Sequence, residues 1–163
     1  MKAMHMTDTV TNIVVAGLGG QGVIKASDIA AEVFFRAGFD VKKSELHGMS
    51  QRGGSVNSDV RFGTKVWSPM IPDGQADYLV VFDETQVELN RPRLKAGGVC
   101  ITPASIDVSK LENARSLNIA LLGVLSRHFA VLDDVWLSII CESLAPKLHD
   151  ANRSAFALGR AAR

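Results

Sequence analysis

The sequence predicts a doubly wound α/β domain, its sheet mostly parallel and Rossmann-like, with an inserted β-hairpin and a helical C-terminal part. Three observations predict it. Strand-length apolar runs, Ile13-Val14-Val15-Ala16 and Tyr78-Leu79-Val80-Val81-Phe82 being the clearest, alternate with helical patterns. Gly17-Leu18-Gly19-Gly20-Gln21-Gly22 joins the first run to an amphipathic helix, the strand-turn-helix context in which G-x-G-x-x-G carries meaning. From Leu117 to the end the patterns are helical.

Residues 1 to 11 read as a disordered lead, and residues 12 to 163 as one domain. The first strand runs from Asn12 to Ala16. The helix after the glycine turn places Val23, Ala26, Ala30, Val33 and Ala37 on one side, with Ile29 and Phe34 widening the stripe, and Gly38 stops it. A short second strand spans Phe39 to Leu46, and the glycine-rich, polar stretch His47 to Gly54 is a loop. Ser55 to Phe62 alternates, and Gly63-Thr64 turns it into Lys65-Val66-Trp67, a hairpin over residues 55 to 68. Pro69, Pro72 and Asp73-Gly74 mark a further loop.

Tyr78 to Phe82 has the continuous apolar character of a strand buried on both faces, and it ends at Asp83. A short helix follows from Glu84 and closes at Asn90-Arg91-Pro92; Gly97-Gly98 then introduces a strand from Val99 to Thr102. The helix over Leu117 to Phe129 is apolar nearly all round and so deeply buried. Asp133 or Asp134 caps the next helix, which turns Val135, Trp136, Ile139, Ile140 and Leu144 inward and stops before Pro146. The last helix, about Leu148 to Ala162, keeps Arg153, Arg160 and Arg163 outside.

Composition narrows the partners. A net charge of +1 implies no nucleic acid, and the apolar runs are too short to span a bilayer. The start, Met1 to Asp8, has no signal-peptide core, which points to the cytoplasm. Cys100 and Cys141 sit in apolar surroundings and read as buried core thiols, and two cysteines cannot supply the four thiolates of an ordinary iron-sulfur cluster. His5, His128 and His149 are isolated, so no metal site is expected.

In a doubly wound sheet, ligands gather at the carboxyl ends of the strands, which puts the glycine turn, the 47 to 54 loop and Asp83 on one edge. Gly17 permits the tight turn, Gly19 close approach to backbone amides, and Gly22 contact between helix and strand, while the helix start attracts anions. The same glycines serve strand-helix packing with no ligand at all, and both roles stand. A nicotinamide site needs an acid at the end of the second strand; Asp40 precedes that strand, and Glu45 is followed at once by the His47 loop. No Gly-Lys-Ser/Thr follows the glycines, so a Walker loop is excluded. His47 suits a general acid, an anion clamp or a plain loop residue; Asp83 suits a helix cap. Ser44, Ser50 and Ser55 lack a nucleophile-elbow setting. No catalytic residue emerges.

Two loops together carry a resemblance. Gly17-Leu18-Gly19-Gly20-Gln21-Gly22-Val23, followed by Ser44-Glu45-Leu46-His47-Gly48-Met49-Ser50-Gln51-Arg52-Gly53-Gly54-Ser55-Val56, resembles the gamma subunit or domain of 2-oxoacid:ferredoxin oxidoreductases, the indolepyruvate type above all. Asn118 to Gly123 and Asn152 to Ala161 are similar as well, so the likeness covers nearly the whole chain. Only 14 residues separate Pro103 from Asn118, where a longer excursion is expected in relatives.

The resemblance implies a multisubunit enzyme that decarboxylates indolepyruvate or another aryl or branched 2-oxo acid to acyl-CoA and CO2. Such a complex uses thiamine diphosphate, Mg2+, [4Fe-4S] clusters and coenzyme A, and passes electrons to ferredoxin or NAD. Thiamine and clusters belong to other subunits, so this chain helps assemble the complex and close the active site or coenzyme A entrance, inactive alone. The implied cofactor-binding or subunit-contact residues are Gly17, Gly19, Gly20, Gln21, Gly22, Glu45, His47, Ser50, Gln51, Arg52, Gly53 and Gly54. In this setting Arg52 presents a guanidinium to a phosphate or a neighbouring carboxylate. The alternatives are a free-standing NAD(P)-binding oxidoreductase and a phosphometabolite-binding domain.

Overall fold

The computed structural model describes residues 9 to 47 and 53 to 163, with His47 described by its backbone alone. Among these residues five strands form one sheet: β1 (Thr11–Leu18), β2 (Asp40–His47), β3 (Ser55–Gly63), β4 (Ala76–Val81) and β5 (Leu94–Ile101), in the spatial order β2-β3-β1-β4-β5. Helix α1 (Val23–Arg36) crosses from β1 to β2, and α2 (Val87–Asn90) lies with flanking 3-10 turns between β4 and β5. Helices α3 (Leu117–Ser126), α4 (Asp133–Ser143) and α5 (His149–Ala161) complete the chain. The predicted α/β class is the fold.

β1 pairs parallel with β4 and β4 with β5, whereas β3 pairs antiparallel with both β1 and β2. Four strands therefore run one way and β3 alone runs against them. The antiparallel hairpin exists, but β3 makes it with the preceding β2, through the register Asp40↔Gly63 to His47↔Val56, and Lys65-Val66-Trp67 form no strand. The local alternation found β3; the long-range partner was beyond a local pattern.

The first face of the sheet carries Ile13, Val15, Val60, Phe62, Val80 and Ile101, covered by α1, α3, α4 and α5. Phe34 of α1 stacks on Phe62 of β3 with ring centroids 3.7 Å apart, and Trp136 of α4 meets Phe34 edge-on at 5.8 Å. α3 is buried on every side, as its unbroken apolar pattern requires. It meets α5 backbone to backbone: a Cβ on Gly159 would lie 1.9 Å from the Ala120 carbonyl oxygen, and one on Gly123 would lie 2.3 Å from that of Phe156. The second face carries Val14, Ala16, Leu79 and Val81 under Ile71 and Val87, from the 64 to 75 segment and α2.

Several details differ from the patterning. Thr11 already belongs to β1, one residue before the expected start at Asn12, and residues 1 to 8 of the expected lead lie outside the described residues. β5 begins at Leu94, not Val99, because Gly97 (φ 75°) and Gly98 make an irregularity inside the strand; a Cβ on Gly98 would press to 2.6 Å from Leu94. Leu132 occupies the N-cap of α4 without a side-chain cap, and Asp133 and Asp134 fall inside its first turn, where their charge still suits the helix dipole. Cys100 and Cys141 are half-buried rather than core thiols. Among the described residues no helix is long and apolar enough to cross a membrane.

Candidate functional site

β1 delivers the chain to the glycine turn at the carboxyl edge of the sheet, and the turn is built by glycine geometry. Gly20 (φ 90°) and Gly22 (φ 77°) both occupy the left-handed region, where a side chain is strained. Gly22 is the N-cap of α1 and offers no side-chain cap, so the first amides of that helix have no intrahelical acceptor. Gly17 serves the helix-strand contact that the pattern gave to Gly22: a Cβ there would lie 2.9 Å from Val23 and from Gln21 Oε1. The roles are redistributed among the glycines, and the edge keeps its shape.

Gln21 locks this edge. Its Oε1 accepts from the Leu18 amide at 2.7 Å, and its Nε2 donates to Asp83 Oδ2 at 2.8 Å. Asp83 Oδ1 accepts from the Thr85 amide at 3.0 Å, so one carboxylate caps the turn after β4 and holds Gln21. The Thr85 hydroxyl, then Gln21, then the Thr85 amide hold the Asp83 carboxyl below the usual carboxylate range. Both polar ends of Gln21 are thus occupied within the chain, which makes it a positioning residue. On the other side the Gly19 amide donates to the Gly54 carbonyl at 2.8 Å. The structure therefore joins Gly17 to Gly22, Gly53, Gly54 and Asp83 at one edge. Ser50, Gln51 and Arg52 lie outside the described residues, as does the side chain of His47.

Glu45 is not at the turn. It pairs with Lys43 Nζ at 2.5 Å, and the same ammonium reaches Asp28 at 2.6 Å. Asp40 begins β2 and accepts from the Val66 amide at 2.7 Å. The topology explains both placements: β3 occupies the position beside β1 that an acid-tipped parallel strand holds in a dinucleotide site, pairing Ser55 and Val56 with Leu18 and Gly17.

Beside the glycine turn opens a cleft of about 320 Å³, lined by Gly20, Gln21, Gly22, Phe82, Arg115 and Asn118 among others. Arg115 is exposed at its mouth and has no ion pair among the described residues. Asn118 is buried; its Oδ1 accepts from the Ile119 amide at 2.9 Å and its Nδ2 reaches the Gly22 carbonyl at 3.4 Å. The 3-10 turn Ala114–Ser116, capped by Asn113, sets Arg115 at this point. A guanidinium at a cleft beside the glycine turn suits an anion. Arg115 was missed by sequence reasoning, since it sits in an irregular segment with no periodic or motif signal. Among the described residues no group of three or more His, Cys, Asp or Glu is placed to hold a metal ion.

Comparison with known proteins agrees with this frame. The family model for pyruvate ferredoxin/flavodoxin oxidoreductase matches residues 12–108. The chain is 32% identical to the indolepyruvate oxidoreductase subunit IorB of Thermococcus kodakarensis, over 91% of this chain and 93% of that one. That alignment runs over 188 positions, more than the 163 residues of this chain, so the relative carries segments that are absent here. Among solved structures, the keto/oxoacid ferredoxin oxidoreductase gamma subunit of Geobacter sulfurreducens matches with a TM-score of 0.74 and 25% identity, over 91% of this chain and 95% of that one. The 2-oxoglutarate:ferredoxin oxidoreductase of Magnetococcus marinus, solved with 2-oxoglutarate, coenzyme A and succinyl-CoA bound, shares the fold with a TM-score of 0.82 at 21% identity. The match covers 95% of this chain and 31% of that one.

Proposed function

The chain belongs to the pyruvate ferredoxin/flavodoxin oxidoreductase family, and we propose that it serves as the gamma-type subunit of a 2-oxoacid:ferredoxin oxidoreductase acting on indolepyruvate or a related aryl or branched 2-oxo acid. Its part is to present the glycine edge to the complex, closing the active site or coenzyme A entrance, while thiamine diphosphate, Mg2+ and clusters belong to other subunits. The donor set supports that division. Cys100 packs against the second face of the sheet and Cys141 rides on α4 over the first, so the two thiols do not converge on one iron.

The observation that carries the proposal is the cleft between the Gln21-locked turn and Arg115. Its residues fit an anionic end of coenzyme A: the Arg115 guanidinium, set across the cleft from the glycine turn, would hold a phosphate. Coenzyme A, when bound, supplies the thiol that takes the acyl group. What this chain does is bind and orient. Gln21 holds the turn in shape, Asn118 backs the Gly22 carbonyl, and buried Phe82 adds an apolar wall. The same role extends, as part of the proposal, to the loop carrying His47, Ser50, Gln51 and Arg52.

The test is steady-state kinetics of the assembled complex. Arg115→Ala raises the KM for coenzyme A about tenfold, the worth of one charge-assisted hydrogen bond, and leaves the KM for the 2-oxo acid unchanged. An unchanged coenzyme A KM removes the anion-holding role.

A further inference from the structure

The most exposed large apolar side chain among the described residues stands away from the glycine edge. Trp67 is 86% exposed and Met70 57% exposed, both on the short tip 67 to 70. Buried Val66 and Ile71 anchor the tip on either side. Charged side chains from the sheet and from the 3-10 turn before β5 bind its backbone. The Val66 amide donates to Asp40 at 2.7 Å, and the Ile71 amide donates to Asp59 at 2.9 Å. Arg61 donates to the carbonyls of Ser68 and Met70 at 2.8 and 3.1 Å, and Arg93 to that of Ile71 at 3.1 Å. Pro69 stiffens the tip further.

So irregular a segment, held at this many points, keeps one shape before any partner arrives, which cuts the ordering cost of binding. What it presents is a tryptophan, the residue type most enriched among interface anchors. The surroundings also have a sign. Lys65 Nζ lies 5.1 Å from the centre of the Trp67 ring. Lys65 and Lys42 share the single carboxylate of Asp40, at 4.0 and 3.7 Å, and that carboxylate is already engaged by the Val66 amide. Beside Trp67, two ammonium groups thus stand against one carboxylate, a local excess of positive charge, while exposed Asp73 farther along the segment pairs with Arg93 at 3.2 Å.

Building on the subunit reading above, we propose that Trp67 is the anchor by which this chain seats in an apolar, carboxylate-rimmed pocket of a partner subunit of the complex. Met70 widens the apolar contact, and Lys65 meets the acidic rim.

The chain contains two tryptophans, and Trp136 is fully buried, so 5-fluorotryptophan placed in this chain alone reports Trp67 by 19F NMR when unlabelled partner subunits are added. The Trp67 resonance, assigned with Trp67→Phe, shifts and loses its solvent isotope effect on assembly. Trp67→Ala weakens assembly about 30-fold and Lys65→Glu weakens it too, with the thermal midpoint of the isolated chain unchanged in both. Assembly of full affinity by Trp67→Ala, or a Trp67 still open to solvent in the complex, overturns the anchor alone. Self-association of the isolated chain that Trp67→Ala abolishes also overturns it, assigning the tip to a second copy. Failure of the wild-type chain to assemble overturns the subunit reading beneath it as well.

Discussion

The first face of the sheet is covered by α1, α3, α4 and α5, the second by α2 and the 64 to 75 segment, and different forces hold the two coverings. On the first face apolar surface and backbone contact dominate: the Phe34-Phe62 stack, an α3 buried on all sides, and the Gly123-Gly159 seam. On the second, β3 turns a polar row toward its cover. Ser55 bonds Gln86 at 2.7 Å, Asn57 bonds Asn90 at 2.9 Å, and Asp59 meets Arg93 at 2.9 Å. Alternation along one strand thus sends Val60 and Phe62 to one side and these polar groups to the other. The difference teaches that the first face makes the fold, whereas the second face and the carboxyl edge hold irregular segments in fixed shapes.

The comparison breaks first at the helix seam. Gly159→Ala drives a methyl group into the Ala120 carbonyl and forces α3 and α5 apart. We expect a loss on the order of 4 kcal/mol, read as a large drop in the thermal midpoint. A neutral result would mean that the seam is looser than its backbone contact requires.

On the second face the largest expected effect is at Arg93. Its Nη2 lies 2.9 to 3.0 Å from both Asp59 oxygens, and the two side chains are 14% and 6% exposed. Arg93→Ala leaves a buried carboxylate unpaired and costs about 3 kcal/mol, while Arg93→Met with Asp59→Leu recovers most of it. Equal losses in the single and double variants, compared by denaturant unfolding, would deny the pair this role.

The smallest global effect belongs to the glycine edge, where the consequence is local. Gln21→Ala removes two hydrogen bonds, each worth about 1 kcal/mol, and should speed amide exchange at Leu18 and the turn far more than it lowers the thermal midpoint. Acid should do the same. The Asp83 carboxyl titrates below its unfolded value, so its contribution is fully present above that value, about pH 4, and is lost as pH falls through the folded value. Turn amides that open before the helices during an acid titration would confirm it; simultaneous opening would mean that Asp83 is not the latch.

Much of this division was legible in the residues. The apolar runs at Ile13 and Tyr78, the glycine turn and the stripe from Val23 to Val33 gave β1, β4 and α1, because each is dictated by local periodicity. The edge that unites the glycine turn, Gly54 and Asp83 followed from the sheet class. The partner of β3 was not legible, since strand pairing is decided by contacts far apart in the chain, nor was the start of β5, masked by Gly97-Gly98 inside the strand. Glu45, which the pattern already set aside as a dinucleotide acid, lies in β2 and pairs with Lys43. Arg115 reaches the cleft from a short 3-10 turn that Asn113 caps, a placement no local pattern announces.

The central claim is that this chain supplies a shaped edge to a larger oxidoreductase and no redox centre of its own. Purification of the tagged chain under native conditions tests it most directly. The account predicts that iron-bearing and thiamine-bearing subunits elute with it and that acyl-CoA formation from a 2-oxo acid requires their presence. A chain that elutes alone, or that oxidises a 2-oxo acid without companions, would contradict it.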